Sequence, residues 1–328
     1  MTTTRRAALL AAPTLLLGSR LARSQGSGTG AWPTRPVRIV VPYTPGGVSD
    51  ITARLIAEPM AAAMGVAVPV ENRAGADGVI GTEVVARAPA DGHTLALVSV
   101  GHPVNAAFYR LPYDTMRDFT FISLTTKTPL VLCAARGFGP STPAELVAHA
   151  KARPAGQVTF AGTGGVVRLA PVLFGQRTGI EMTYVPYRGS TQAHPDLIAG
   201  RVDIMFDTVP AALPHIQAGT LKALATTGAV RAPQLPDVPT LGETVAGFEA
   251  STWGMVMGPA NLPRPVLDRL HREITAAVTR PEIVARHRAL GAEVVTSNPD
   301  ETRGFVQAEM EKWGAAARAA GVQPQNAG

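Results

Sequence analysis

Five stretches of this sequence combine glycine with a hydroxyl, an acid or a tyrosine just after an apolar run. The first is Tyr43-Thr44-Pro45-Gly46-Gly47-Val48-Ser49-Asp50. The others are Glu71-Asn72-Arg73-Ala74-Gly75-Ala76-Asp77-Gly78, Ser99-Val100-Gly101-His102, Ala161-Gly162-Thr163-Gly164-Gly165 and Val185-Pro186-Tyr187-Arg188-Gly189. Turns of this composition leave backbone N–H groups unpaired and set small hydroxyls beside them, which is the chemistry of an anion cradle. After the first turn, Ile51, Leu55 and Ile56 take up helical spacing. Its N–H groups therefore lie at the positive end of a helix dipole. A phosphate or a carboxylate would suit the turn equally; the rest of the chain favours a carboxylate. One glycine turn commonly means only that the backbone needs a positive φ, but several at the ends of strands point to a shared site.

Other chemistries lack their residues. There is no Gly-x-Ser-x-Gly elbow and no His-Glu-x-x-His helix, and the seven histidines, from His93 to His287, are scattered. Pro45-Gly46-Gly47 carries neither the lysine of a P-loop nor the Gly-x-Gly-x-x-Gly of a dinucleotide fold. No catalysis, no cofactor and no metal site are expected. The single cysteine, Cys133, ends the apolar run Pro129-Leu130-Val131-Leu132 and reads as a small buried hydrophobe.

Residues 1–24 read as an export signal: Arg5-Arg6, an apolar segment from Ala7 to Leu17, then Ala22-Arg23-Ser24 with small residues before a cut near Ser24. The paired arginines favour the twin-arginine route, although Leu15-Leu16-Leu17 would also serve general secretion. The apolar run is shorter than the ~20 residues a membrane span needs. The segment holds four arginines and no acid, so its removal takes the formal charge from +6 to +2. With 5% aromatic residues and no basic run, the chain has no footprint for nucleic acid. The effector domain of a transcription regulator would need a DNA-binding helix pair in front, where this chain has its export signal.

The elements that must position the turns alternate. Strands are expected at Val37–Val41, Val66–Val70, Thr94–Val98, Leu130–Ala134, Val158–Ala161, Met182–Val185, Val202–Phe206, Leu221–Thr226 and Gly254–Met257. Helices are expected at Asp50–Met64, Thr142–Arg153, Leu169–Thr178, Ala193–Ala199, Arg264–Thr279 and Pro299–Ala320, with Pro59 kinking or shortening the first. Such alternation predicts α/β lobes with mainly parallel sheets flanked by helices, whose ligands sit beyond the carboxyl ends of the strands. About 300 residues at 46% hydrophobic suffice for two lobes.

The ordered pieces Trp32-Pro33-Thr34-Arg35-Pro36-Val37-Arg38, Pro45-Gly46-Gly47 with Asp50, Val70-Glu71-Asn72-Arg73, Ala90-Asp91-Gly92-His93-Thr94-Leu95, Leu111-Pro112-Tyr113-Asp114, Val185-Pro186-Tyr187-Arg188-Gly189, Gly200-Arg201-Val202-Asp203 and Leu235-Pro236-Asp237-Val238-Pro239-Thr240 carry a resemblance. Along essentially its whole mature length the chain resembles the substrate-binding receptors of tripartite tricarboxylate transporters, the Bug receptors. The resemblance implies a two-lobe periplasmic binding protein of type II-like build, its lobes joined by crossing strands: lobe 1 from 25–130 and 250–328, lobe 2 from 131–249. It implies a monomer that closes on a small carboxylate and delivers it to membrane subunits of such a transporter. An orphan receptor, or a sensor presenting its ligand to a signalling partner, is the alternative. Carried over by position, Tyr43, Thr44, Gly46 and Gly47 form one wall, with Gly75, Ala76, Asp77 and Gly78 beside it. Ser99, Gly101 and His102 follow, Gly162, Thr163 and Gly164 close from lobe 2, and Tyr187 and Asp207 stand at the far rim. Asp50 reads as the N-terminal cap of its helix. Family members usually carry serines and a histidine where this chain has Ala161, Gly165 and Arg168. Arg168 either offers a guanidinium to a second anionic group or lies on the outer face of its helix. Few aromatics, Tyr43, Tyr187 and Phe206, stand near the expected cleft, which argues against a large ring ligand.

Overall fold

The computed structural model describes residues 32–163 and 165–326; the export-signal reading of residues 1–24 and the assignment of Gly164 lie outside them. From Pro33 the chain forms one compact unit. In chain order its elements are β1 (Arg38–Val41), α1 (Val48–Met64), β2 (Val70–Asn72), α2 (Val79–Ala86), β3 (Thr94–Ser99), α3 (Gly101–Phe108), β4 (Tyr109–Arg110) and β5 (Phe119–Ala135). Then follow α4 (Pro143–Lys151), β6 (Val158–Gly162), α5 (Gly165–Thr178), β7 (Met182–Pro186), α6 (Ser190–Ile198), β8 (Ile204–Thr208), α7 (Val209–Gln217) and β9 (Leu221–Thr226). The chain ends with β10 (Ser251–Pro259), α8 (Arg264–Val278), α9 (Pro281–Ala289), β11 (Glu293–Val294), α10 (Pro299–Ala319) and β12 (Gln325–Asn326).

The strand order β2-β1-β3-β10-β5-β8-β6-β7 runs through a single continuous path, with β9 and β11 also paired to β5. β1 pairs in parallel with β2 and β3, and β6 with β7 and β8. β10 and β5 enter antiparallel. The expected parallel cores are therefore present, and two antiparallel strands connect them. β5 changes partners abruptly, from Ser251 opposite Pro129 to Thr208 opposite Leu130. Pro129 has no N–H to give to a ladder, so it sits where one pairing ends and the next begins.

Thr227, fully buried, fastens this crossing. Its Oγ1 accepts the Leu130 N–H at 2.8 Å and lies 2.5 Å from the Ala250 carbonyl, to which it donates. Its N–H donates to the Leu130 carbonyl at 2.9 Å, and the Ala250 N–H donates to its own carbonyl at 3.1 Å. Both strands that cross are thus tied to one residue. Behind β10, the buried Glu309 of α10 accepts the indole N–H of Trp253 and of Trp313, each at 2.9 Å, and pairs with Lys312. The carboxylate spares two buried indoles the cost of an unmade hydrogen bond.

Several elements differ from the sequence expectation. α1 continues through Pro59, which is buried inside it; its packing on the sheet outweighs the lost bond. β2 lies at Val70–Asn72 rather than Val66–Val70, because Pro69 cannot donate to the ladder. β5 begins at Phe119, eleven residues before the expected strand. Helices α2, α3, α7 and α9 were not expected: all are short, and α2, α3 and α7 hold a glycine or proline within them.

Removing the Thr227 hydroxyl tests the fastening. Thr227→Val leaves the buried Leu130 N–H and Ala250 carbonyl without it and is expected to lower unfolding free energy by about 1–3 kcal/mol, read from the midpoint of a urea melt at unchanged slope.

Candidate functional site

A cleft of about 200 Å³ opens where the first turns meet the crossing strands; Tyr43, Gly47, Val48, Ser49 and Ser99 line one side, and Thr126, Thr128, Thr252, Trp253 and Gly254 the other. Gly47 is the N-cap of α1 and makes no side-chain cap bond, so the N–H groups of Val48 and Ser49 belong to the unsatisfied first turn of a 17-residue helix. Their partial positive charge faces a wall of threonines. Among the lining residues there is no lysine, arginine, aspartate or glutamate. What this cleft offers an anion is dipoles and hydroxyls.

Tyr43 and Ser99 form its polar corner. The Ser99 N–H and Oγ–H both donate to the Tyr43 hydroxyl oxygen, at 3.1 and 2.8 Å, and the Gly101 N–H donates to Ser99 Oγ at 3.3 Å. With its oxygen accepting twice, the phenol keeps its own proton for a third partner. Burial raises the Tyr43 phenol above its ordinary range, against the Ser99 hydrogen bonds that pull it down, and the Asp77 charge raises it further. It remains a donor throughout neutral pH. A side chain on Gly101 would press its Cβ to 3.3 Å from the Tyr43 hydroxyl. One on Gly254 would meet Thr126 Oγ1 at 2.8 Å and Thr125 Oγ1 at 2.9 Å. Glycine at these two positions lets the corner and the threonine wall approach.

Asp50 supports the first turn from beneath. It is not the N-cap; it stands in the first turn of α1, and its carboxylate reaches back to accept the Gly46 N–H at 2.9 Å. It also accepts from Arg54 at 3.1 Å and from Asn72 Nδ2 at 2.9 Å, while Asn72 Nδ2 lies 3.1 Å from the Tyr43 carbonyl. Burial works against the charged form, but the hydrogen bonds from Arg54, Gly46 and Asn72 hold its carboxyl below the usual range. The carboxylate is spent on the scaffold. Thr44 and Gly46 lie in the exposed part of this turn and are not in the cleft lining.

Gly75, Ala76, Asp77 and Gly78 form a tight turn beside it, with positive φ even at Ala76 (45°) and Asp77 (51°). Asn105 Nδ2 holds the Asp77 carbonyl at 2.9 Å, and the Tyr109 hydroxyl donates to Asp77 Oδ2 at 2.6 Å. Burial, then Asp77, pushes the Tyr109 phenol up to about 12.

The structure separates other expected residues from the cleft. His102 is 2% exposed, stacks on Tyr113 and meets Phe119 edge-on. Its Nε2 faces the Thr115 carbonyl at 3.2 Å and so carries the proton. This is a core histidine, turned inward onto Tyr113 and Phe119. Asp207 is 1% exposed and accepts from Ser190 Oγ, His194 Nε2 and the Thr208 N–H, each at 2.8 Å. Tyr187 donates to Asp196 Oδ2 at 2.7 Å. Gly162 ends β6, where its carbonyl accepts the Tyr187 N–H at 3.0 Å, and Thr163 follows it. Arg168 is half-buried and outside the cleft lining: its guanidinium lies 4.6 Å from the Tyr184 ring centroid and 5.4 Å from that of Phe108. Sequence reasoning missed Thr126, Thr128 and Thr252, which belong to strand segments it did not find; the β-branched run Thr125-Thr126-Lys127-Thr128 was the available signal.

A family model described as the tripartite tricarboxylate transporter family receptor matches residues 52–322. The chain belongs to this family. BugT of Bordetella pertussis is 37% identical to the receptor over 298 residues, covering 89% of this chain and 91% of that protein. Among solved structures, R. palustris Rpa4515 with adipate is 34% identical with a TM-score of 0.74, covering 90% of this chain and 100% of that one. MatC from Rhodopseudomonas palustris with bound malate is 30% identical with a TM-score of 0.69, covering 87% of this chain and 99% of that one. The receptor is a solute-binding protein of α/β binding-protein fold, and its family and structural neighbours are not enzymes.

The buried His102 gives the receptor a pH dependence. Burial lowers its imidazole from 6.5 to about 4, against the Thr115 hydrogen bond. The unfolded chain binds a proton near pH 6.5 that the folded one refuses until about pH 4. Its contribution is therefore full above pH 6.5, is lost as pH falls through that window and is flat below it, roughly 3 kcal/mol in all. His102→Phe should remove that part of the slope, seen by comparing urea melts of parent and variant at pH 7 and 4.5; parallel slopes would exclude it.

Proposed function

We propose that the receptor works in the periplasm, captures a small carboxylate in this cleft and delivers it to the membrane subunits of a tripartite tricarboxylate-type transporter. The observation that carries the reading is the Tyr43–Ser99–Gly101 corner facing the open first turn of α1. A carboxylate oxygen there would accept the Tyr43 proton and the helix N–H groups, while its partner oxygen would face Thr126 and Thr128. The adipate of Rpa4515 and the malate of MatC support a carboxylate of compact, unbranched kind. For a dicarboxylate, Arg168 is our candidate for the second anionic group, because among the described residues no carboxylate pairs with it and two rings hold its guanidinium.

The receptor acts as a monomer of two lobes, 25–130 with 250–328 and 131–249, closing about the crossing strands. The change of partners on β5 at Pro129 and Leu130, and the Thr227 fastening, support those boundaries. Residues 1–24 act as the export signal, of twin-arginine type, cut near Ser24. Within the described residues no helix is long and apolar enough to cross a membrane.

Titration calorimetry with adipate, malate, citrate and inorganic phosphate tests the reading. One carboxylate is expected to bind, phosphate is not, and Tyr43→Phe and Ser99→Ala should each weaken the binding about tenfold, the ~1.4 kcal/mol worth of one hydrogen bond to a charged group. Binding by phosphate alone, or unchanged affinity in both variants, would refute it. Saturation with the bound acid should also shrink the radius of gyration in solution scattering.

A further inference from the structure

The crossing strands have two faces, and only one looks into the cleft. Side chains alternate along a strand, so Thr126, Thr128, Thr252 and Gly254 share the cleft side while Lys127, Pro129 and Ser251 look the other way. On that second face lies a larger cavity, about 350 Å³. Its walls come from both sides of the crossing. Pro129 of β5 and Ser251 of β10 form the floor, the loop 228–234 leaving Thr227 forms one side, and α9 with β11 forms the other.

The lining is apolar in body, through Pro129, Val230, Ala232, Pro233, Val284 and Val294. Val230 is 69% exposed, an aliphatic side chain left in water at the edge of the cavity. The charges are unequal in what they have left to give. Lys127 pairs with Glu249 and stands directly across from Glu293 in the β5–β11 register. Arg231 makes two hydrogen bonds to Glu243, at 3.1 and 2.9 Å. Arg288 has no carboxylate partner among the described residues, and Gln234 Nε2 fixes its carbonyl at 2.8 Å. Three cations, Lys127, Arg231 and Arg288, thus line the cavity against one acid, Glu293, which makes no ion pair among the described residues, and the Arg288 guanidinium borders a wall of aliphatic surface.

We infer that this cavity behind the hinge is a second binding site, for a compact amphipathic anion, and that its occupancy is coupled to that of the cleft. Coupling follows from where the walls come from. The loop 228–234 belongs to one side of the crossing and α9–β11 to the other, so rotation about Thr227 changes the distance between them. A molecule held by both has unequal affinity for the open and closed forms, and the cleft ligand must alter its affinity by the same factor. The coupling rests on the lobe closure proposed above; the site itself does not.

The probe is 1-anilinonaphthalene-8-sulfonate, an aromatic ring system with one anionic group, followed by its fluorescence on the folded receptor. One saturable site is expected. Val230→Glu and Arg288→Glu, both at exposed positions outside the cleft, should each weaken it at least tenfold, and Thr126→Ala should leave it unchanged. Saturating adipate should shift the probe's dissociation constant severalfold without lowering its maximal signal. Unsaturable binding, affinity unchanged from the parent in both charge variants, or loss of the signal in Thr126→Ala would overturn the site. A probe affinity indifferent to adipate, on protein shown by calorimetry to bind adipate, would overturn the coupling. If adipate does not bind at all, it is the adipate-type ligand assignment that fails, and the charge variants still decide the second site.

Discussion

Everything in this receptor passes through the place where β5 changes partners. A strand of 17 residues can serve two parallel sheets only if its hydrogen bonds are handed from one neighbour to another without leaving a buried amide unpaired. Pro129 removes one donor at the change, and Thr227 supplies an acceptor for the next, the Leu130 N–H. The same hydroxyl reaches Ala250, just before β10 crosses in the other direction. A single buried side chain thereby serves the backbone of both crossings. The cost of an unmade buried hydrogen bond, about 1–3 kcal/mol, makes this the point about which the proposed closure would turn.

The proposed cleft would hold an anion without a formal charge. An arginine at its floor would need a partner when the cleft is empty, or would sit desolvated at several kcal/mol. Hydroxyls and helix N–H groups remain hydrogen-bonded to water until a ligand displaces it, at little cost. Tyr43 illustrates the economy: burial keeps the phenol protonated, and Ser99 fixes its oxygen so that the remaining proton has one direction to go. The carboxylates near the cleft are engaged by the scaffold. Asp50 is occupied by Gly46, Arg54 and Asn72, and Asp77 accepts from Tyr109. The Arg54 pairing offsets the Asp50 charge, while the Asp77 charge remains and acts on Tyr43.

The parallel cores were legible because their strands are short apolar runs bounded by glycine and proline: β9 falls at Leu221–Thr226 as its pattern indicates, and β1, β3, β6 and β7 within a residue. The first half of β5 was not. Its inward residues are threonines, and a strand that faces a polar cleft on one side and a cavity on the other does not alternate apolar with polar in the usual way. The same cause hid the cleft's second wall. Tyr43, Gly47 and Ser99 could be named from turn chemistry, whereas Thr126 and Thr128 became visible only when β10 and β5 were paired. His102 misled for a related reason. It follows Ser99 in a polar-looking turn, but the helix that begins at Gly101 rotates its ring inward onto Tyr113 and Phe119. Sequence proximity to a site residue says little once a helix intervenes, since successive side chains there diverge by about 100°.

Arg168 brings the two sheets' helices into contact by a different force. Its guanidinium lies against Phe108 at the end of α3 and Tyr184 in β7, elements from either side of the crossing. Cation–π contacts of this kind contribute about 0.5–2 kcal/mol, enough to bias an equilibrium between two lobe arrangements by one order of magnitude but not to lock it. A ligand carboxylate that reached the same guanidinium would strengthen the arrangement it found rather than compete with the rings, because a guanidinium can stack by its face while donating from its edge. For the closure proposed above, Thr227 would fix where the halves turn, and Arg168 would set how readily they stay together.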